Sequence, residues 1–350
     1  MLVETPGASP FSGLPGVLWA YRFDAEGRGE ALAPETGGAP ALHAIAAASS
    51  WLWLHVNLSD ARSAQVVAQL PAPEDARAAL LSPDTYVNLQ LDDGVACGVF
   101  ADWVHQRGVD PAAESLPRDE DGAGWLHFLL GDRLLVTARR QALRSVESAR
   151  RQAAQGVRFA SPVRLLETVT DHFADTLERA TDGLSARLDR IEDRVLADSI
   201  GEERRDLAQL RHQAVRLHRP LTAMRRVLRQ FEQRHPAEAE HELLAAVARL
   251  NQRFDDLDGD VGTLQERARL LQDEVAAKLA ERTNRHLYVL SMITALLLPP
   301  SLVAGVFGMN LSGLPFAASA HGVAFALLLG AASSVAVYLV LRRMGVARST

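Results

Sequence analysis

The spacing of hydrophobic positions changes twice along the 350 residues. Up to about residue 158 they alternate with polar ones or run in short blocks: Val17 to Asp24, Trp51 to Leu58, Tyr86 to Leu91, Val95 to Trp103, Trp125 to Leu130 and Leu134 to Ala138. Alternation with period two is the mark of a strand, so each of these segments is predicted as β. Asp92-Asp93-Gly94 and Gly131-Asp132 stand between consecutive strands, and because Asp and Gly tolerate positive φ they predict tight hairpins. Ser59 to Leu70 and Gln141 to Gln155 carry helical spacing. Residues 1–158 are therefore expected to form an α/β domain.

From Pro162 onward the strand pattern stops. Leu166, Val169, Phe173, Leu177, Leu184, Leu188, Ile191 and Val195 keep steps of three and four apart from one step of seven, which is one face of a helix. Ser199-Ile200-Gly201 reads as a turn, and Leu207, Leu210, Val215, Leu217, Leu221, Val227 and Leu228 predict an antiparallel return helix. His235-Pro236 ends it, since proline lacks the N–H donor and clashes with the preceding turn. Leu243, Val247, Leu250, Phe254, Leu257, Val261, Leu264, Ala268, Leu271 and Val275 then alternate steps of four and three, the seam of a helix packed along other helices. Nothing breaks that helix afterwards. Ala237 to Phe307 is expected to be a single helix, roughly 105 Å long at ~1.5 Å per residue. Residues 159–281 read as a helical coiled-coil stalk.

The last change is to uninterrupted apolarity. Leu287 to Phe307 and Val323 to Leu341 contain no charged residue, and each is long enough to cross ~30 Å of hydrocarbon. Residues 282–342 are thus predicted as a two-helix transmembrane hairpin, with 343–350 as a tail. Arg282 and Arg285 precede the first span, while Arg342, Arg343 and Arg348 follow the second, and only His321 can carry charge between them. The excess of arginine at those ends predicts that both termini lie in the cytoplasm. Met1 to Gly16 has no basic stretch followed by an apolar one, so no cleavable signal is expected. The competing reading is a buried hairpin in a soluble protein, which the flanking arginines disfavour. Pro299-Pro300 frees backbone carbonyls inside the first span and predicts a kink or a polar cavity there.

Composition alone would conceal this division. A mean hydropathy of −0.02 and a net charge of −6 look soluble, yet no Asp or Glu follows Glu281. Cys97 is the only cysteine, which excludes a disulfide framework or thiolate zinc cluster within one chain. His172, His212, His218, His235, His241 and His286 offer no close pair four residues apart on a clear helix face, and they read as surface residues. His286 is singled out because it lies near Asn284. Asp255, Asp256, Asp258 and Asp260 read as a solvated helix face or as a means of drawing cations into an assembly. Enzyme signals are absent: Asp119-Glu120-Asp121-Gly122 lacks calcium-loop spacing, His241-Glu242 has no second histidine four residues on, and no phosphate loop or nucleophile elbow occurs. No catalytic residue, cofactor or nucleic-acid partner is expected.

Asn284, Ser291, Thr294, Ser301, Gly305 and Gly308 fall within about one third of the first span's circumference at ~100° per residue. Such a stripe suits either a close-packed helix interface or the wall of a polar path, and both hold when helices surround an axis. A membrane-anchored coiled-coil scaffold or sensor is the alternative of another class, although an anchor needs only apolar residues.

Gly308-Met309-Asn310, placed directly after the first of two C-terminal spans and below a long uninterrupted helix, closely resembles the signature of the CorA superfamily of divalent-cation transporters. The loop that follows, Leu311-Ser312-Gly313-Leu314-Pro315-Phe316, has no acid, and is more similar to the zinc-transporting branch called ZntB than to the magnesium-channel branch, whose loop typically carries glutamates. The resemblance implies an inner-membrane homopentamer, with first spans around the pore and second spans outside, that carries divalent cations and most closely fits zinc. It also implies proton coupling in that branch. With no carboxylate, cysteine or histidine in either span, a dehydrating zinc cage is not available. The expectation is instead a hydrated cation held by Asn310 amide oxygens and Gly308 carbonyls, then by Ser301 and Thr294 hydroxyls, with Leu298, Leu290 and Leu287 as apolar constrictions. His321 and His286 are the candidate proton or metal contacts.

Overall fold

The computed structural model describes residues 14–32, 50–105, 123–197, 203–234, 240–309 and 321–343. The expected turn at Ser199-Ile200-Gly201, the stop at His235-Pro236, the Asp119–Gly122 run, Asn310 and the loop after it lie outside these residues. The chain divides into two compact units, Met1–Leu271 and Gln272–Thr350.

The first unit opens with β1 (Val17–Phe23), β2 (Gly29–Ala31), β3 (Trp51–Asn57), α1 (Ser63–Ala68), α2 (Glu74–Leu81), β4 (Asn88–Asp92), β5 (Val95–Trp103), β6 (Ala123–Gly131), β7 (Leu134–Arg139) and α3 (Arg144–Ala154). The strands form one sheet in the order β2-β1-β3-β7-β6-β5-β4. Only β3 and β7 are parallel. On one face α1 and α2 cover Leu52, Leu54, Val56, Leu129 and Val136 with Val66, Val67 and Leu80. The other face is aromatic: Phe23 stacks on Trp51 at 4.0 Å between ring centres, and Trp103 meets Phe173 at 5.8 Å. Because β3 is buried on both sides, it is almost wholly apolar instead of alternating.

His55 is the fully buried polar residue of β3. Its Nδ1 lies 2.8 Å from the Thr137 hydroxyl, which also accepts from the Trp53 indole at 2.8 Å. Burial, and then the charges of Arg139 and Arg150, push its pKa well below the usual histidine value. It is therefore neutral at physiological pH.

The hairpin expected at Asp92-Asp93-Gly94 joins β4 to β5 with Asp92 opposite Val95. Asp93 and Gly94 both have positive φ, 44° and 79°, which matches a two-residue turn to the twist of the strands. Strand β4 starts two residues later than its apolar pattern implies, and α1 is shorter than Ser59 to Leu70. Two elements escaped the sequence pattern: β2 has three residues, too few for alternation to register, and α2 has eight.

The helices follow as α4 (Pro162–Leu196), α5 (Glu203–Arg234) and α6 (His241–Gly308). Ser161 starts α4: its hydroxyl accepts from the Arg164 N–H at 3.2 Å, and Pro162 takes the first helical position, where its missing donor costs nothing. The expected α4 and α6 seam positions are all buried. On α5 the seam runs through Leu207, Leu210, Ala214, Leu217, Leu221, Met224, Leu228 and Phe231. Val215 and Val227 stand one place off it; Val215 is 39% exposed and Val227 half-buried. Strict steps of three and four thus outrank the hydrophobicity of a single side chain.

Ion pairs flank these seams. Asp255 meets Arg225 and Arg229, and Asp258 meets Arg225 and His218, so half of the Asp255–Asp260 run is paired with α5. Asp256 and Asp260 remain exposed.

One buried acid ties the sheet to α3. Leu143 supplies no side-chain cap to that helix. Asp102, at the end of β5, takes over: its carboxylate accepts from the Ser145 hydroxyl at 2.6 Å, the Trp103 N–H at 2.7 Å and the Ser145 N–H at 3.1 Å. Burial pushes its pKa up to about 6, while these donors pull the other way. A folded-state value above the unfolded one means that the proton favours the fold. Its contribution is fully present below pH ~4 and lost as pH rises through ~6, about 3 kcal/mol in all for a two-unit shift. Asp102→Asn is expected to flatten the melting-temperature profile between pH 4 and 6, read by tryptophan fluorescence. An unchanged slope would show that Asp102 does not titrate there.

Candidate functional site

The second unit holds the C-terminal part of α6 and α7 (Gly322–Arg343). Both helices are long and apolar enough to cross a membrane, and almost none of their apolar surface is covered. Large side chains that a core would hide are open here: Leu290 is 61% and Leu298 64% exposed. This counts against the buried-hairpin reading.

The two helices meet along a mostly apolar face of α6. Tyr288, Met292, Ala295, Leu296, Pro299, Pro300, Val303 and Phe307 are the half-buried positions of α6 over this stretch. On α7, Gly330 is buried against Pro300, where an added Cβ would come within 3.5 Å of the proline Cβ. One turn further along α7, Ser334 lies over the first helix. Proline at 300 leaves the carbonyl of Leu296 without its helical donor. The Ser334 hydroxyl donates to that carbonyl at 2.9 Å. The proline pair therefore sits in an unbroken helix, one freed acceptor being satisfied from the neighbouring helix as hydrocarbon requires.

The polar stripe lies elsewhere. Asn284, Ser291, Thr294, Ser301, Gly305 and Gly308 are all exposed, on the side of α6 turned away from α7. A Cβ built on Gly305 or Gly308 would meet nothing within 4 Å. Leu287, Leu290 and Leu298 share that side and are exposed, as are His286, Met309 and His321. The stripe is thus not the interface of this hairpin; the small-residue contact with α7 belongs to Gly330 and Ser334. The Thr294 hydroxyl donates to the Leu290 carbonyl at 2.8 Å, and the Ser301 hydroxyl to the Leu297 carbonyl at 2.7 Å. With its proton so occupied, each hydroxyl presents only lone pairs outward. Such oxygens attract a cation or the hydrogens of its water shell and repel anions. Among the described residues no three His, Cys, Asp or Glu side chains are placed to hold a metal ion. Sequence reasoning missed Ser334; its signal was a serine in a span paired with a proline in the preceding one.

An α/β body, long helices and two uncovered apolar helices, with an uncharged oxygen-bearing stripe on the first, fit a membrane protein with a large body outside the bilayer. The model of the family described as CorA-like Mg2+ transporter protein matches residues 48–343, and the chain belongs to that family. It is a divalent-cation transporter, not an enzyme. It is 24% identical over 311 residues to the zinc transport protein ZntB of Yersinia pseudotuberculosis, covering 87% of this chain and 88% of that protein. It is 28% identical over 246 residues to the divalent cation transporter CmaX of Pseudomonas aeruginosa, covering 69% and 72%. The solved full-length CmaX structure superposes with a TM-score of 0.73 at 21% identity, over 97% of this chain and 99% of that one. The CorA magnesium transporter of Methanocaldococcus jannaschii does so with 0.71 at 17% identity, over 93% and 97%. At such identities the structures establish a shared fold.

Removing the Ser334 hydroxyl leaves the Leu296 carbonyl unsatisfied in an apolar setting. Ser334→Ala is expected to destabilise the hairpin by about 1 kcal/mol, measured by chemical unfolding in detergent micelles. Ser333→Ala is the control, since Ser333 donates only to the Gly330 carbonyl of its own helix. Equal losses for the two variants would remove the special role of Ser334.

Proposed function

We propose that this chain moves zinc across the inner membrane through a homopentameric pore lined by its first span. In this reading residues 1–158 are a cytoplasmic α/β domain, 159–281 the stalk, 282–342 the transmembrane hairpin and 343–350 a cytoplasmic tail, with both termini inside. The observation that carries it is the uncovered stripe of Asn284, Ser291, Thr294, Ser301, Gly305 and Gly308, turned away from α7 and leading to Gly308-Met309-Asn310. One hairpin cannot enclose a watery path, whereas five first spans around an axis bring five copies of every oxygen together. Asn310 amides and Gly308 carbonyls take the hydrated ion at one end. The Ser301 and Thr294 hydroxyls hand it along, and Leu298, Leu290 and Leu287 form apolar constrictions that close by excluding water. Asn284 and His286 stand at the inner mouth, and His321 is the candidate proton or metal contact of the outer side.

Zinc is favoured by the acid-free loop Leu311–Phe316 and by the name of the ZntB relative. Magnesium is the second reading, favoured by the family description and by the archaeal CorA fold. Purified protein in liposomes separates them: zinc flux well above magnesium flux is expected, enhanced by a pH gradient if protons are coupled. Magnesium flux equal to or above zinc flux would reverse the assignment.

Asn310→Ala is expected to abolish or greatly reduce flux while the oligomer and its melting temperature persist. An asparagine that merely capped the helix would lower stability and assembly along with transport. Normal flux in a correctly assembled Asn310→Ala protein would sink its role in ion selection.

A further inference from the structure

Along the contact between α4 and α6, arginines of α6 reach carboxylates of α4. Arg249 pairs with Glu167 at 2.6 Å, Arg253 with Asp171 at 3.0 Å and with Asp175, and Arg267 with Asp189 at 2.8 Å and Glu192 at 2.9 Å. Positions 249, 253, 256, 260, 263 and 267 form one edge of α6 by steps of four and three. At 256 and 260 that edge carries Asp where its neighbours carry Arg. The ladder breaks there. A cavity of about 240 Å³ opens at this point, with Asp182, Glu178 and Asp260 on its walls beside Thr181 and Thr263, and with Arg267, already paired to Asp189 and Glu192, as the one cation among them. Asp182, Asp256 and Asp260 are exposed, and none has an ion-pair partner among the described residues.

The opposite charge lies on α5. That helix carries nine arginines against Glu203, Asp206 and Glu232, in a chain whose net charge is −6. Its edges are already in use: Asp206 faces Arg187 and Arg194 of α4, and Arg225 and Arg229 face the aspartates of α6. Arg205, His212, Arg219 and Arg226 recur at steps of seven and are exposed. They stand opposite the buried seam and have no ion-pair partner among the described residues. Steps of seven drift only ~20° each, so the four side chains make one ridge, ~32 Å long at ~1.5 Å per residue.

We propose that the Arg205–His212–Arg219–Arg226 ridge of one copy docks on the Asp182–Asp256–Asp260 break of the next copy. This rests on the oligomeric reading above and adds the contact that orders it. The ridge and the break lie on different sides of one helical bundle, so a single chain cannot join them. A contact between unlike patches repeats head to tail and closes into a ring when its rotation permits. Separated carboxylates that do not converge on one point suit the forked donors of guanidinium groups better than a metal ion.

The test uses the full chain in detergent, followed by native mass spectrometry across a salt series. R219E/R226E is expected to raise the dissociation constant of the oligomer at least about tenfold (~1.4 kcal/mol), and adding D182R/D260R is expected to restore it. Co-expressed Arg219→Cys and Asp260→Cys chains should form a mixed disulfide on oxidation. The native Cys97 does not interfere, being buried with its thiol pushed up to about 11. Tryptophan fluorescence melting confirms that each surface variant is folded. A wild-type chain that is monomeric overturns both the oligomeric reading and this contact. A wild-type oligomer that R219E/R226E leaves unchanged at every salt concentration, with no mixed disulfide, overturns the contact alone. Normal assembly of R219E/R226E with lost binding to vesicles of anionic lipid also overturns it, assigning the ridge to a membrane surface.

Discussion

One helix, His241–Gly308, must be stable in two solvents, and most of the architecture follows from how it manages this. In water its backbone hydrogen bonds add little net stability, and the helix is held by burying the Leu243-to-Val275 seam. In hydrocarbon the seam has no meaning, because lipid is as apolar as leucine, and the constraint becomes the satisfaction of every backbone group. Side-chain chemistry therefore changes character near Glu281, the last acid in the chain, although the helix does not break. The Pro299-Pro300 pair is the point of greatest stress under the second rule. The Ser334 hydroxyl on the Leu296 carbonyl is a local answer to it.

The same distinction explains what could be read from the sequence. Period is legible wherever a long element has one buried face. The α4 and α6 seams were found position by position, and α5 was found with two positions misplaced, since Val attracts notice where Ala214 and Met224 do the packing. Strands β5 and β6 stood out as apolar runs, whereas β2 was too short to carry a pattern. The first span and its polar stripe were legible because charge vanishes and small polar residues recur at helical angles. Which way the stripe points was not legible: it depends on where α7 packs, with Gly330 against Pro300. Asp102 was hidden for a related reason, as a non-local cap joins residues 43 apart in sequence.

Ion pairs along the helices add order more than stability. An exposed pair contributes ~0–1 kcal/mol and is screened by salt, so the Arg249, Arg253 and Arg267 contacts do not explain why the bundle folds. They do fix which positions face each other along α4 and α6 and so guard against a slip of one turn. An aspartate in that row, as at Asp260, forfeits this local benefit and adds a third acid to Glu178 and Asp182, with Arg267 beside them. Such a position is tolerable because water screens it in a lone chain.

The candidate ion path shows the inverse economy of charge. A carboxylate in the span would bind a divalent cation tightly, and tight binding slows release, which a conducting path has to avoid. Hydroxyl oxygens whose protons are tied to their own helix, as at Thr294 and Ser301, offer weak and repeated attraction instead. Weak ligands cannot strip a divalent ion of its water, because the hydration shell is held more strongly than any neutral oxygen can replace. The ion therefore crosses such a stretch with water attached, and discrimination must come from the size and order of that shell. In the proposed pore a ring of neutral amide and carbonyl oxygens at Gly308-Met309-Asn310 acts on the shell, whereas leucines at 287, 290 and 298 act on the water column itself. In that reading selection and gating are separable along one face of one helix, and neither requires an acid within the membrane.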